Sequence, residues 1–170
     1  MDDVYKEQLV RKYPTTGDKI LKLTLCVVGA VVETAVFLFS AKIYQNILLP
    51  VIVLFGIYFG LRKLFSFLDI EYEYSYTNGE LDIDCIYAKN NRRRVFSGNV
   101  SGFEFMAHIS EKKEFKFDAE KNYGSGKITD NTYYFFCVYN NVRTKIIFEP
   151  NATFINLFKS VLPRKFFDKK

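Results

Sequence analysis

The sequence predicts an α+β membrane protein: an N-terminal transmembrane helix hairpin, then an antiparallel β barrel or sandwich of about six or seven strands, then a C-terminal amphipathic helix. Three observations predict this fold class. The chain is almost entirely apolar from Leu23 to Leu68, it alternates with period two from Ile70 onward, and its last segment has apolar residues at helical spacing. We therefore divide the chain into an N-terminal arm (1–22), a helix hairpin (23–68) and a β domain (69–170).

The net charge of +5 is unevenly distributed along the chain. Residues 70–150 carry 11 basic and 12 acidic side chains, whereas residues 151–170 carry 5 basic side chains and 1 acidic one. Domains that bind nucleic acids usually have a basic stripe across the folded surface. Because the β-rich segment is close to neutral, we expect neither DNA nor RNA as a partner.

Two apolar runs predict the hairpin. The first covers residues 23–41, and the second covers residues 47–61 and continues past Arg62 and Lys63 to Leu68. A helix needs about 20 residues to cross the hydrocarbon core of a bilayer, so the second run spans it if the basic pair snorkels to the surface. The first run exceeds the apolar part of a signal peptide and lacks a cleavage site, so we expect a retained anchor.

Basic residues around the two runs predict the orientation. Five Lys or Arg side chains precede the first run, and Arg62 and Lys63 lie towards the end of the second, whereas the short turn between the runs has only Lys42. Cytoplasmic flanks of membrane helices carry the excess of Lys and Arg. We therefore expect a two-pass protein of the cell membrane with both termini in the cytoplasm, and the sequons that begin at Asn99 and Asn151 are then chance matches.

Glu33 lies in the middle of the first run. A carboxyl group inside a membrane is costly and often functional. The sequence leaves three alternatives open. The carboxyl group packs against the second helix, with Tyr58 as a candidate hydrogen-bond partner, or against another copy of the chain; the helix boundary is shifted; or the residue has an ion or proton role.

Turn signals divide the first part and the end of the β domain into strands. Asn78-Gly79 between two alternating runs indicates a type I′ hairpin, and Asn140-Asn141 marks the final hairpin. Residues 89–94 (KNNRRR) predict a basic turn, and Gly98-Asn99 predicts a break or bulge between two further strands.

The rest of the β domain is less regular. Residues 110–131 are charged and weakly patterned, which predicts a long loop with one short strand at 115–117. A helix is predicted over 151–162, with Asn151 as its N-cap and Pro163 after its end. Its apolar face is expected to close one end of the barrel or sandwich.

The string YSYTNGELDIDCIYAKNNRRRVFSGNVSGFEF resembles bacterial pleckstrin-homology-like domains that follow pairs of transmembrane helices. These domains have a Tyr-rich strand, a turn, a Leu-centred strand and an Arg-rich turn. The strings EYEYSYTNGELDID, IFEPN and PRKFF more closely resemble an uncharacterised family of small two-helix membrane proteins of anaerobic Gram-positive bacteria. The resemblance implies a pleckstrin-homology-like fold in a membrane context, and it carries no catalytic residue to this chain.

Two groups of basic residues are candidates for binding lipid or a partner. They are Arg92, Arg93 and Arg94 in the predicted turn, and Arg164 and Lys165 in the tail. Basic residues close to a membrane gain about 1 kcal/mol each from an anionic leaflet, and Phe166 and Phe167 are expected to insert beside the tail residues. A solvated turn and a frayed basic terminus are the alternatives.

No motif typical of catalysis or metal binding occurs in the sequence. The three cysteines have no CxxC spacing, and His108 has no nucleophile or metal-ligating partner at a usual spacing. A Cys85–Cys137 disulfide requires an oxidising compartment. We expect no metal, no cofactor and no enzymatic activity. The acids that alternate along the predicted strands are expected to form a solvated sheet face; they are Glu71, Glu73, Asp82 and Asp84.

The function class that these observations favour is a membrane-anchored, non-enzymatic interaction domain. Its β domain is expected to bind a protein partner or the anionic membrane surface. The alternative is a regulatory or accessory subunit of a membrane complex or transporter, in which the helices and Glu33 are important. Membrane lipid is the first expected partner, and a protein partner or a second copy of the chain is the other candidate.

The orientation can be tested with a reporter enzyme that is active only outside the cytoplasm. Fused after Lys170 the reporter should be silent, and inserted between Lys42 and Asn46 it should be active, because the basic flanks hold both termini inside. The opposite pattern of activities would contradict the predicted orientation.

Overall fold

The computed structural model describes residues 4–43, 48–111 and 115–168. The chain forms two compact units: one is Pro14–Asp69, and the other combines the segment before Pro14 with the segment after Asp69. In chain order the elements are β1 (Tyr5–Arg11), α1 (Thr16–Ile43), α2 (Leu48–Leu68), β2 (Ile70–Thr77), β3 (Glu80–Tyr87), β4 (Asn91–Asn99), a 3-10 turn (Val100–Gly102), β5 (Phe105–His108), β6 (Ala119–Asn122), β7 (Tyr133–Tyr139), β8 (Val142–Phe148), α3 (Ala152–Val161) and β9 (Phe166–Phe167).

The helical unit consists of α1 and α2, and both helices are long and apolar enough to cross a membrane. Helix α1 begins at Thr16, seven residues before the predicted apolar run, because Thr15 and Asp18 form a capping box. The Asp18 carboxylate accepts a hydrogen bond from the Thr15 N–H (2.8 Å), and the Thr15 hydroxyl accepts one from the Asp18 N–H (3.2 Å). The predicted connection between the helices falls largely on residues 44–47, which lie outside the described ranges.

The two helices pack antiparallel along a narrow seam. A Cβ atom added at Gly29 would lie 3.1 Å from Ile57 Cγ2, so α2 approaches α1 closely at Gly29, where α1 has no side chain. The partly buried residues recur every three or four positions, as in left-handed helix pairs. They include Lys22, Leu25, Gly29, Glu33, Val36 and Ser40 on α1, and Pro50, Val53, Ile57, Leu61 and Phe65 on α2.

The β unit is built from two sheets. The first sheet has the order β1-β2-β3-β4 with every pair antiparallel, and the second has the order β6-β8-β7-β5-β9, in which β6 and β9 pair parallel to their neighbours. Among the described strands, none of the first sheet pairs with one of the second. The predicted sandwich is therefore confirmed, and the barrel is not closed.

An aromatic core fills the space between the sheets. The rings of Phe103 and Phe135 stack with centroids 4.1 Å apart, and offset stacking of this kind adds stability beyond the area buried. Helix α3 closes the sandwich with Phe154 and Phe158, and the predicted N-cap Asn151 accepts a hydrogen bond from the Phe154 N–H. The largest fully buried side chains are Tyr74, Phe96, Phe103, Phe135, Phe148, Phe154 and Phe158.

Both predicted hairpin turns are present, and their central residues have positive φ. Asn78 and Gly79 have φ of 48° and 101°, and Asn140 and Asn141 have φ of 51° and 61°. Both pairs therefore adopt the left-handed conformations of type I′ hairpins.

Several local predictions are wrong. Residues 115–117 are not a strand, whereas Ala119–Asn122 form β6. Strand β4 runs through the predicted break at Gly98-Asn99 and ends one residue before the 3-10 turn, which the Asn99 side chain caps. The predicted count of about six or seven strands omitted β1 and β9, because neither segment carries a hydrophobic alternation long enough to be recognised.

The most important correction concerns the N-terminal arm. Residues 5–11 are not a separate arm; they pair with all but the first residue of β2, from Tyr5 opposite Thr77 to Arg11 opposite Glu71. The helical unit is therefore an insertion between two neighbouring antiparallel strands. Strand β2 begins at Ile70, one residue after the predicted start of the β domain, and the prediction omits the strand that precedes the hairpin.

The second half of strand β1 is held by core packing and by hydrogen bonds. Val10 is buried in the core, and the Gln8 side chain donates to the Glu149 carbonyl and accepts from the Asn151 N–H, both at 2.7 Å. The Lys12 N–H also donates to the Ile70 carbonyl at 2.9 Å, so the chain leaves and re-enters the sandwich at one point.

We predict that residues 4–13 joined to 70–168 by a short Gly-rich linker fold without the helices, because Lys12 and Ile70 are already hydrogen-bonded neighbours. The fragment 70–168 without β1 should melt on the order of 10 °C lower, since it loses the buried Val10 and a row of strand hydrogen bonds. Thermal unfolding followed by circular dichroism measures both proteins. Equal melting temperatures would show that β1 contributes nothing to the sandwich.

Candidate functional site

The three consecutive arginines do not form a turn. Asn91–Arg94 belong to β4, and the turn itself consists of Ala88–Asn90. Successive side chains of a strand point to opposite faces, so Arg92 and Arg94 lie on one face of the sheet and Arg93 on the other. The prediction of a basic turn at 89–94 is wrong, since the hairpin closes before Arg92.

Arg92 and Arg94 cover carboxylates on the outer face of the first sheet. Arg92 forms an ion pair with Glu73, and the Arg94 guanidinium bonds to Asp84 at 3.0 Å and to Asp82 at 2.9 Å. Glu73 is only 3 % exposed and Asp84 only 7 %. The predicted solvated acidic face is therefore wrong for these two acids, because the arginine side chains of β4 lie over them.

A second carboxyl group joins this network from β1. Glu73 donates a hydrogen bond to Glu7, which lowers the pKa of Glu7, and the pKa of Glu73 is raised to about 7. Burial is the main cause of the rise, the hydrogen bond with Glu7 adds to it, and the charge of Arg92 opposes it. Below about pH 7 Glu73 therefore holds a proton beside Glu7.

The basic tail is largely fastened to the sandwich. Lys165 Nζ donates to the carbonyls of Phe103 (2.9 Å) and Ser101 (3.3 Å), and Phe166 and Phe167 form β9 beside β5. The insertion of these two rings at a membrane, as predicted, is contradicted by their packing on Tyr133 and Phe105. Arg164 is exposed.

A different basic surface appears at the end of the sandwich where the chain leaves for the hairpin. We call it the basic rim, and it consists of Arg11, Lys12, Lys89, Arg93 and Lys127. Arg11 and Lys12 end β1, Lys89 lies in the β3–β4 turn, and Arg93 stands opposite Cys85 near the start of β4. The charges of Lys12 and Arg93 both oppose the rise that burial causes in the pKa of the Cys85 thiol, so both lie near that residue.

The loop between β6 and β7 adds Lys127 to the rim. The Tyr13 N–H donates to the Ser125 carbonyl at 2.8 Å, and Lys127 Nζ lies 4.3 Å from the centre of the Tyr13 ring. Arg11 lies opposite the acidic residue Glu71 in the β1–β2 pair. Of the rim residues, only Arg93 belonged to the predicted site. The strand pairing brings Arg11 and Lys12 to the end of the sheet at which Lys89 and Arg93 lie.

Residues 2–168 match the family described as "Bacterial PH-like domain (DUF6106)". The chain belongs to this family. No curated protein and no solved structure matches the chain.

The expected pleckstrin-homology-like fold is thus confirmed, and the match covers the helices as well as the PH-like domain. In the PH-like domain His108 is buried, with Nδ1 2.7 Å from the Ser110 hydroxyl and Nε2 3.0 Å from the Asp130 carbonyl. Cys85 and Cys137 are free thiols in the core. Within the described ranges no group of three or more His, Cys, Asp or Glu side chains is arranged to hold a metal ion.

Glu33 lies on the seam between the helices. Gly29, one turn earlier, contacts Ile57 and Leu61, which places Glu33 opposite the apolar part of α2 before Ile57. Tyr58 is exposed, and its hydroxyl accepts a hydrogen bond from Arg62 at 3.5 Å. Glu33 Oε2 is buried and has no hydrogen-bond partner among the residues that the structure describes, so the predicted partner Tyr58 is wrong.

We predict that the PH-like domain becomes less stable as the pH rises from about 5 to about 7. The pKa of Glu73 is about 7 in the folded chain and ordinarily 4.5, so the folded state binds the extra proton over this interval. The proton on Glu73 stabilises the folded state fully below the ordinary pKa. This stabilisation is lost as the pH rises past the pKa of the folded state. Thermal unfolding at several pH values measures the trend.

Glu73→Gln should flatten this dependence, because the neutral amide still donates to Glu7. Glu71→Gln on the same strand face is the matched control and should keep the trend. An unchanged slope in Glu73→Gln would disprove the assignment to Glu73.

Proposed function

We propose that this chain is a non-enzymatic, membrane-anchored interaction module whose PH-like domain binds the anionic membrane surface through the basic rim. The observation that supports it is the position of the rim. Its residues surround Tyr13 and Ile70, the two points at which the domain is covalently joined to the helices. A basic surface beside both tethers is held close to the head groups if the helices span the bilayer.

The electrostatics favour the rim over the arginines that pair with acids. Arg92 and Arg94 lie among Glu73, Asp82 and Asp84, so their charges are already compensated. Arg93 and Lys89 are exposed and have no ion-pair partner among the described residues. Charges of this kind gain about 1 kcal/mol each near an anionic leaflet, over a Debye length of about 8 Å at physiological salt.

Neighbouring arginines of opposite orientation provide the test. With the helix-free PH-like domain (4–13 joined to 70–168), binding to vesicles of neutral and of anionic lipid is measured by sedimentation at low and at physiological salt. Anionic vesicles should bind the domain, and added salt should release it. Arg93→Ala should weaken binding about fivefold, which corresponds to about 1 kcal/mol.

Arg94→Ala is the matched control, with the same charge change one residue away. It should leave vesicle binding within about twofold and should instead lower the melting temperature, because it exposes the buried Asp84 without its partner. Equal loss of binding in both variants, or no binding to anionic vesicles at low salt, would contradict the rim as a lipid-binding surface.

A second function, an accessory subunit of a membrane complex, is favoured by Glu33. A buried carboxyl oxygen without a partner is costly in an apolar environment. A polar group on a further helix would satisfy it. A folded PH-like domain that ignores anionic vesicles would favour this second function, with a protein as the partner.

A further inference from the structure

A groove between the two helices lies at the end of the hairpin where α1 begins and α2 ends. It has a volume of about 540 Å³ and is lined by Cys26, Tyr58, Leu61, Arg62, Phe65, Ser66 and Asp69. Its α2 residues recur at three- and four-residue spacing, so one face of that helix forms most of the wall. Most of its lining is apolar, Asp69 lies at one end, and Arg62 lies nearer the middle.

The charged end is marked by an ion pair. Lys22 Nζ lies 3.8 Å from Asp69 Oδ1 and 5.7 Å from the centre of the Phe65 ring. The charge of Asp69 is thereby balanced from α1. Arg62 precedes Asp69 by seven residues, about 10 Å along the helix. Its guanidinium group has no ion-pair partner among the described residues, so it adds a positive charge to the groove.

The hydrogen-bonding groups of Arg62 are largely unused. A guanidinium group has five N–H donors, and the bond that the described residues provide is a long one, 3.5 Å from Nη1 to the Tyr58 hydroxyl. The sequence predicts that Arg62 snorkels to the membrane surface, which is the level of the lipid phosphates. A phosphodiester group accepts from a guanidinium group in a bidentate manner and carries the complementary charge.

We propose that this groove binds one anionic phospholipid, with its phosphodiester on Arg62 and an acyl chain against Leu61, Phe65 and Cys26. The combination of a cation and a neighbouring apolar wall suits an amphiphile better than a free phosphate ion. The proposal rests on the proposed membrane anchorage and is independent of the basic rim. It gives the helices a lipid specificity of their own.

Lys63 provides a matched control. It carries the same charge one residue later, about 100° around the helix, and it does not line the groove. Diffuse attraction of anionic lipid would depend equally on Arg62 and Lys63, whereas a bound lipid depends on Arg62 alone.

The test uses the full-length protein, after extraction at alkaline pH has shown that it is integrated in membranes. Purified protein is mixed with neutral and anionic phospholipid, and native mass spectrometry measures which lipid is retained. The wild type should retain one anionic lipid in preference to the neutral lipid. Arg62→Ala should reduce this preference at least about fivefold, and Lys63→Ala should leave it within about twofold.

A further variant tests the apolar wall without changing the charge. Cys26→Phe fills the groove from an exposed position, so it should reduce retention while the helical circular dichroism stays constant. Glycerol phosphate, which has no acyl chain, should not displace the lipid.

The outcomes separate this site from the rim. Arg93→Ala should leave lipid retention unchanged, so failure of vesicle binding by the rim does not affect the groove. Equal effects of Arg62→Ala and Lys63→Ala, no preference in the wild type, displacement by glycerol phosphate, or a protein that alkaline extraction removes from membranes would each overturn the proposed lipid site.

Discussion

The pairing of β1 with β2 is the constraint on which the rest of the structure depends. These strands flank the helices in sequence and are antiparallel neighbours in the first sheet. Both connections to the helical unit therefore leave the sandwich at one point, at the Lys12–Ile70 hydrogen bond. The same pairing brings the basic end of β1 to the β3–β4 turn, and it holds Glu7 against Glu73.

Because side chains alternate along β4, two of its arginines pair with acids and the third lies on the other face of the sheet. Arg92 and Arg94 point to the face that carries the buried acids, where removing either leaves a carboxylate without compensation. Arg93 points to the other face and reaches the end of the sandwich. Three identical residues in sequence thus have two different roles, because a strand repeats every two residues.

The helical unit places its polar groups at two different levels. Glu33 lies on the seam opposite apolar residues, whereas Arg62 lies nearer the end of α2 and faces a groove. A buried carboxyl group requires a proton or a polar partner, and an open guanidinium group requires an anion. The seam therefore favours a contact with protein, and the groove favours a contact with lipid.

The sequence by itself determined the elements whose signal is local. Two apolar runs of membrane length, the Asn78-Gly79 turn and the Asn151 cap depend on neighbouring residues, and the structure has each of them. The tertiary structure alone decided the position of β1, the burial of Glu73 and the composition of the rim. Strand pairing joins residues far apart in the chain, from Arg11 to Glu71 to Arg92, and no local pattern of hydrophobicity specifies which strands become neighbours.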